Sequence, residues 1–204
     1  MRKLVLFAAA SLFLGSAINA QAEGDPSAGA QKAATCAACH GQNGVSNNPE
    51  WPNLAGQHAL YTVKQLQEFK SGDRVNATMN GMAAPLSEQD MEDLAAYFAS
   101  QQPSYGEADP ELVELGEQIY RGGNMTTGVP ACMACHQATG QGNPAARFPA
   151  LGGQHALYTE NQLKAFRSMQ RANDAGQMMR NIAAKMTDQE IKAVASYIQG
   201  LRPE

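Results

Sequence analysis

The chain has 204 residues, of which 44% are hydrophobic and 17% are charged. This composition suits one large or two small folded domains and excludes a disordered tail, because there are enough apolar side chains to form a core. The net charge of −4 argues against a nucleic-acid partner, since nucleic-acid-binding proteins carry an excess of Lys and Arg.

Residues 1–22 have the pattern of a secretory signal peptide. Two cations precede an uncharged apolar run at residues 4–17, and Ala20-Gln21-Ala22 follows as a cleavage site. A transmembrane anchor is the alternative, but the run has 14 residues, whereas a spanning helix needs about 20. We expect export of the chain and cleavage after Ala22 or Ala20.

The rest of the chain contains one pattern twice. Residues 36–40 recur as 132–136, and residues 51–62 recur as 148–159 with most positions kept. Such a long period predicts two homologous domains rather than a solenoid, which usually has three or more shorter units. A polar stretch with Pro and Gly separates the repeats, as linkers do. The predicted units are a first domain at 23–102, a linker at 103–109 and a second domain at 110–204.

Each half is predicted to be helical. Asp25-Pro26 and Asp109-Pro110 each start a helix, with Asp as N-cap and Pro at the first helical position. In both halves we expect this helix to run into a Cys motif. A second helix is predicted at about 57–71 and a third at about 88–101, because apolar residues recur there at helical spacing.

The third helix of each half begins with a variant of the capping box. Ser87 and Asp90 supply it in the first half, and Thr187 and Glu190 supply it in the second. No segment shows a sustained alternation typical of strands, so the predicted fold class is all-α.

Each half carries one Cys-x-x-Cys-His motif. Three other uses of paired cysteines fit less well: a structural zinc site needs four ligands, a thioredoxin-like pair needs a βαβ unit, and a disulfide here closes too short a loop. On one helical turn, two thiols at i and i+3 can each bond a vinyl group of haem, and the His at i+4 can bind the iron. We therefore predict two covalently bound haem c groups. The thioether residues are Cys36, Cys39, Cys132 and Cys135, and the proximal ligands are His40 and His136.

The sixth iron ligand is predicted to be a methionine, whose soft sulfur raises the potential of c-type cytochromes. Aligning the halves on the Ala-Ala pair that follows matches Met79 with Met179, and a shared function should use shared positions. We expect Met79 to lie in an irregular, Gly-containing loop at 78–82. Met82 and Met178 are the alternative ligands.

Two further histidines, His58 and His155, match between the halves and offer a bis-His alternative. The methionine pair explains the sixth ligand better, so we expect both to be ordinary residues at a helix start. Pro52 and Pro149 also match. We expect each proline carbonyl to accept a hydrogen bond from the ring N–H of the proximal histidine, which would fix its tautomer.

These residues resemble the dihaem cytochrome c4 family. The likeness consists of two Cys-x-x-Cys-His motifs, two Pro-x-Leu-x-Gly-Gln strings, two matched methionines and a signal peptide, and it covers nearly all of the mature chain. It implies two tandem class I cytochrome c domains related by a pseudo-twofold axis, with haems facing each other across the interface. The family's thioether and axial residues fall on the eight positions named above, and Met82 beside Met79 is the one departure.

The resemblance implies a periplasmic carrier of single electrons, not an enzyme. The expected partners are membrane respiratory complexes, with a cbb3-type terminal oxidase as acceptor and possible peripheral membrane association. A dihaem peroxidase-like enzyme and a haem-based sensor are the alternatives. The former needs an open or displaceable iron ligand and an acid–base group beside it, for which neither repeat offers a constellation.

Charge is distributed unevenly between the halves. Residues 23–105 carry 4 cations and 9 anions, whereas residues 110–204 carry 9 cations and 8 anions. This asymmetry predicts a charge dipole that orients docking on redox partners. It also predicts the lower potential for the haem of the first domain, because negative charge stabilises ferric iron.

Overall fold

The computed structural model describes residues 24–203, so the predicted signal peptide lies outside the described residues. This part of the chain is helical, and its only β pairing consists of two isolated bridges, Asn124 with Val129 and Asn143 with Phe148. None of the helices between residues 24 and 203 combines the length and the apolar character needed to span a bilayer.

Five α-helices are described in the first repeat. They are α1 (Pro26–Lys32), α2 (Ala37–His40), α3 (Ala59–Ser71), α4 (Ala77–Ala83) and α5 (Glu88–Ser100). Asp25 caps α1 by accepting the Ser27 N–H at 2.8 Å, and Pro26 occupies the first turn. Ser87 and Asp90 form a complete capping box before α5. Both predicted helix starts are confirmed. In each, the N-cap side chain accepts a hydrogen bond from a first-turn N–H that has no partner within the helix.

The second repeat has the same order of elements. Its helices are α6 (Val113–Gly122), α7 (Met133–His136), α8 (Ala156–Arg167), α9 (Met178–Ala183) and α10 (Asp188–Gly200). Thr187 and Glu190 form the predicted capping box before α10.

Two predictions about the start of the second repeat are wrong. Helix α6 begins at Val113 instead of Pro110, because residues 109–112 form a separate turn in which the Leu112 N–H donates to the Asp109 carbonyl at 3.0 Å. The helix also does not run into the Cys motif. A short hairpin closed by the bridge between Asn124 and Val129 separates them.

In each repeat the last helix organises the packing. Helix α5 packs on α1 and α3, and α10 packs on α6 and α8. Helices α1 and α5, and likewise α6 and α10, approach closely because a glycine lies where the two helices cross. A Cβ atom on Gly29 would lie 2.0 Å from the Asp93 carbonyl oxygen, and one on Gly116 would lie 2.3 Å from that of Ala193.

The two domains differ in their hydrophobic cores. The core cluster of the first domain comprises Ala33, Leu94 and Phe98, and that of the second comprises Ile119, Tyr120, Val129, Met186, Ile191, Val194, Tyr197, Ile198 and Leu201. The first cluster is small for a domain of about 80 residues, which normally needs a staple or a cofactor to be stable.

The segment that connects the two repeats packs against the second domain. Residues 101–112 contain no helix. Gly106 donates its N–H to the Gln199 carbonyl at 3.1 Å, and Asp109 donates to the Ser196 hydroxyl at 2.8 Å. These contacts hold the connection on α10.

Candidate functional site

Each Cys-x-x-Cys-His motif forms a single helical turn. In the first repeat, the N–H groups of Cys39 and His40 both point to the Cys36 carbonyl oxygen, at 3.1 and 2.9 Å. In the second, the His136 N–H lies 2.9 Å from the Cys132 carbonyl. All four cysteine side chains are half-buried, and none of them forms a disulfide. The structure thus places two thiols and an imidazole on one turn in each domain, as predicted.

Proline carbonyls contact the rings of both predicted proximal histidines. Nδ1 of His40 lies 2.9 Å from the Pro52 oxygen, and Nδ1 of His136 lies 3.0 Å from the Pro149 oxygen. A carbonyl only accepts, so Nδ1 carries the proton and Nε2 keeps the lone pair that an iron ligand needs. Burial lowers the pKa of both histidines, although the carbonyl contact opposes this shift. The prediction for the two prolines is confirmed.

The matched methionines lie on helices. Met79 is on α4 and Met179 is on α9, so the loop predicted at 78–82 is wrong. Helix α4 forms because Asn76 caps it, accepting the Met79 N–H at 3.0 Å. Met79 and Met179 are both half-buried, whereas Met82 is 40% and Met178 is 39% exposed.

The surroundings of both motifs fit a haem c. Apolar side chains pack against each core yet remain partly exposed: Leu54, Leu66 and Leu86 in the first domain, and Leu151, Leu163 and Ile182 in the second. Two thiols, an imidazole with an available lone pair and a thioether are the donor set of this group. Within residues 24–203, no three His, Cys, Asp or Glu side chains are grouped as ligands for a metal ion.

A reciprocal pair of glutamines joins the two domains. Gln57 donates to the Ala150 carbonyl at 2.9 Å and accepts the Ala150 N–H at 3.0 Å. Gln154 donates to the Asn53 carbonyl at 2.9 Å and accepts the Asn53 N–H at 2.8 Å. Each contacted residue directly follows a proline whose carbonyl contacts a predicted proximal histidine. The loops beside His40 and His136 are therefore linked.

The matched histidines also reach across the interface. Nε2 of His58 lies 2.7 Å from the Gln141 carbonyl, and Nε2 of His155 lies 2.9 Å from the Ser46 carbonyl. Both residues are N-caps, of α3 and α8, which agrees with the expected position at a helix start.

Two arginines, Arg74 and Arg171, meet in the same interface. Each is 8% exposed and stacks on a phenylalanine ring of its own domain, at 4.5 and 4.4 Å from the centroid. Both donate to the same two side-chain oxygens, at 2.6–3.1 Å. Their partners lie in both domains: Gln65 and Tyr61 on α3, and Gln162 and Tyr158 on α8. The sequence analysis missed this cluster, although both arginines recur at the repeat offset of 97.

Comparisons with known proteins agree with this arrangement. The family model for cytochrome c matches residues 27–102 and 113–202. The chain is 50% identical over 200 residues to cytochrome c4 of Azotobacter vinelandii, covering 93% of this chain and 95% of that one. The chain belongs to the cytochrome c4 family. It is a dihaem electron-transfer cytochrome with two tandem cytochrome c domains, and it carries two covalently bound haem c groups.

A solved structure and a more distant relative are also similar to the chain. The crystal structure of reduced recombinant cytochrome c4 from Pseudomonas stutzeri matches with a TM-score of 0.86 and 50% identity, covering 88% of this chain and all of that one. A more distant relative is the thiosulfate dehydrogenase electron acceptor of Thiomonas intermedia (strain K12). It is 40% identical over 174 residues, covering 82% of this chain and 78% of that one.

Proposed function

We propose that the chain is a periplasmic carrier that shuttles single electrons between membrane respiratory complexes and a terminal oxidase. When bound, the haem groups supply one-electron chemistry between ferric and ferrous iron. The protein's own residues hold the haem groups, determine the polarity of their surroundings and exclude competing ligands. The observation that carries the proposal is the matched donor set of the two domains.

We assign the ligands by that match. The four thiols of Cys36, Cys39, Cys132 and Cys135 form the thioether bonds. His40 and Met79 bind the first iron, and His136 and Met179 bind the second. The half-burial of Met79 and Met179 supports this choice over the exposed Met82 and Met178, because a ligand that faces the protein interior excludes water better.

The alternatives are supported less well. Iron ligation by His58 or His155 would require Nε2, which contacts a carbonyl of the other domain in each case. A peroxidase or a sensor would need an open or readily displaced position at one iron, whereas both domains offer the same half-buried methionine.

A cbb3-type terminal oxidase is the acceptor that we propose. One relative is named as a thiosulfate dehydrogenase electron acceptor. We therefore include periplasmic dehydrogenases of this class among the proposed electron donors. The excess of 5 anions in residues 23–105 suits docking on a basic partner surface, with peripheral attachment to membranes through bound complexes.

The ligand assignment is tested by methionine replacement in the holoprotein. Met79→Ala and Met179→Ala should each remove half of the weak long-wavelength absorption band of Met-ligated ferric haem, and each should allow carbon monoxide to bind one iron. Met82→Ala and Met178→Ala are matched controls and should leave the band intact. Loss of the band in Met82→Ala but not in Met79→Ala would contradict the alignment of the repeats.

The carrier role is tested with membranes that contain or lack a cbb3-type oxidase. The reduced holoprotein should be oxidised faster by the first preparation, and the rate should fall as salt screens the docking charges. Equal oxidation by both membranes would contradict the proposed acceptor. N-terminal sequencing of the protein from the periplasmic fraction would test export and the cleavage position.

A further inference from the structure

We propose that Glu68 and Gln65 of the first domain position the segment that leads to Met179 in the second domain. The inference rests on the proposed function only in treating Met179 as an iron ligand, because the contacts themselves are independent of that role. It makes the second haem sensitive to a helix of the first domain.

Asn173 is the residue through which the two domains meet at this point. Its Nδ2 donates to Glu68 Oε2 at 2.6 Å and to Gln65 Oε1 at 3.0 Å. Lys64 Nζ donates to the Asn173 carbonyl at 2.8 Å and to the Glu68 carboxylate at 2.6 Å. Arg171 Nε donates to Asn173 Oδ1 at 3.0 Å. Both the backbone and the side chain of Asn173 are therefore held.

The cluster is partly removed from water. The side chains of Lys64 and Glu68 are each 21% exposed, so their charge-assisted hydrogen bonds are stronger than those of a fully solvated pair.

The arrangement is not reciprocal. Asn76 occupies the repeat position of the contact residue, but it caps helix α4 of its own domain. The positions in α8 that correspond to Lys64 and Glu68 are Asn161 and Ala165, which cannot form the ion pair. Helix α3 therefore contacts the second domain through an ion pair, and α8 has no equivalent ion pair with which to contact the first domain.

The contact is connected to α9 through the next residue. Asp174 Oδ2 accepts the Arg180 backbone N–H at 3.0 Å, and Oδ1 accepts its Nε at 2.6 Å. The repeat offset increases from 97 at Asn173 to 100 at Met179, so three additional residues separate the anchor from the methionine. A longer segment has more conformations to restrict, which explains why it needs an external anchor.

Three variants of the holoprotein separate positioning from charge. Glu68→Ala installs the residue found at the equivalent place in α8. Glu68→Gln removes the charge but keeps an oxygen that accepts from Asn173. Glu160→Ala is the matched control, since Glu160 also forms an i,i+4 ion pair of 2.6 Å and is also 21% exposed, but its partner is Lys164 on its own helix.

The first readout is hydrogen exchange of the Gln177 and Arg180 backbone amides, which donate to the carbonyl and the carboxylate of Asp174. Glu68→Ala should accelerate it at least about tenfold, the lower end of the change expected for loss of one charge-assisted hydrogen bond. Glu68→Gln keeps a weaker, neutral hydrogen bond and should accelerate exchange less than Glu68→Ala does, and Glu160→Ala should not change it. Equal acceleration in the alanine and glutamine variants, or in Glu160→Ala, would overturn the proposal.

The second readout is the potential of each haem, followed by NMR during stepwise reduction. Glu68→Ala should shift the second haem's potential beyond the shift seen in Glu68→Gln, and the first haem should respond alike in both variants. Identical shifts in both variants would show an effect of charge alone. Should Met179→Ala retain the long-wavelength band at full intensity, the ligand assignment would be wrong while the exchange result would still decide the positioning role.

Discussion

Replacing Gln57 by alanine should loosen the interface between the two domains. Gln57 is 9% exposed, and its side chain makes both hydrogen bonds to the Ala150 peptide groups as well as accepting the His58 N–H at 3.0 Å. A neutral hydrogen bond contributes about 0.5–1.5 kcal/mol, and a buried group left without a partner costs about 1–3 kcal/mol. We expect Gln57→Ala to lower the free energy of unfolding by about 2–4 kcal/mol. Gln154→Ala should cost less, because Gln154 is only half-buried and water can replace its contacts.

Urea denaturation of the holoprotein measures this change. The single tryptophan, Trp51, lies two residues from the contacted Asn53 and reports on this region by fluorescence. Gln101→Ala is the control, because its side-chain nitrogen bonds only within its own domain, to the Tyr97 carbonyl and the Ser100 hydroxyl. If the interface opens as one unit, the double variant at 57 and 154 should lose less than the sum of the single losses. A loss in Gln57→Ala no larger than in Gln101→Ala would refute the reasoning.

Two other predictions concern acid stability and haem potential. Burial raises the pKa of Asp174, but hydrogen bonds from Arg180 outweigh it and hold the pKa below its usual value. The resulting stabilisation is therefore present above about pH 4 and is lost as the pH falls further, so Asp174→Asn should lower stability by about 1–2 kcal/mol at neutral pH and flatten the acid limb of a stability titration. The haem of the first domain should have the lower potential, because residues 23–105 carry a net −5 and residues 110–204 carry +1. Stepwise reduction followed by NMR should show the second haem reduced first, with a gap that narrows as salt screens charges beyond about 10 Å; earlier reduction of the first haem would contradict the charge argument.

The proximal side of each haem site was predictable because its chemistry is local in sequence. Two cysteines and a histidine on one turn depend only on helical periodicity, and the capping boxes at Ser87 and Thr187 depend on a spacing of three. The proline contacts span 12 or 13 residues, yet repetition of the whole string indicated them. Where a signal lies within a turn or is duplicated, sequence reasoning was sufficient.

The distal side and the interface were less predictable. A Gly within residues 78–82 suggested a loop, but the cap at Asn76 outweighed its low helix propensity. The short hairpin after α6 has no equivalent among the described residues of the first repeat, so the internal alignment could not show it. Gln57 and Arg74 have partners more than 80 residues away, and no local pattern indicates such a contact.

The two repeats are most alike beside the proximal histidines, where an interdomain contact should affect both irons equally. The glutamine contacts are reciprocal, and each ends on the residue after a histidine-orienting proline, so a change there acts on both proximal sides. The distal contacts differ, because Asn76 caps its own helix while Asn173 is held by Glu68 of the other domain. Since the predicted axial ligands are the same in both domains, a difference in potential has to come from other features in which the domains differ, which include their charge, their hydrophobic cores and these distal segments. Duplication therefore explains why there are two similar sites, and the few positions that diverged afterwards explain how an electron can prefer one of them.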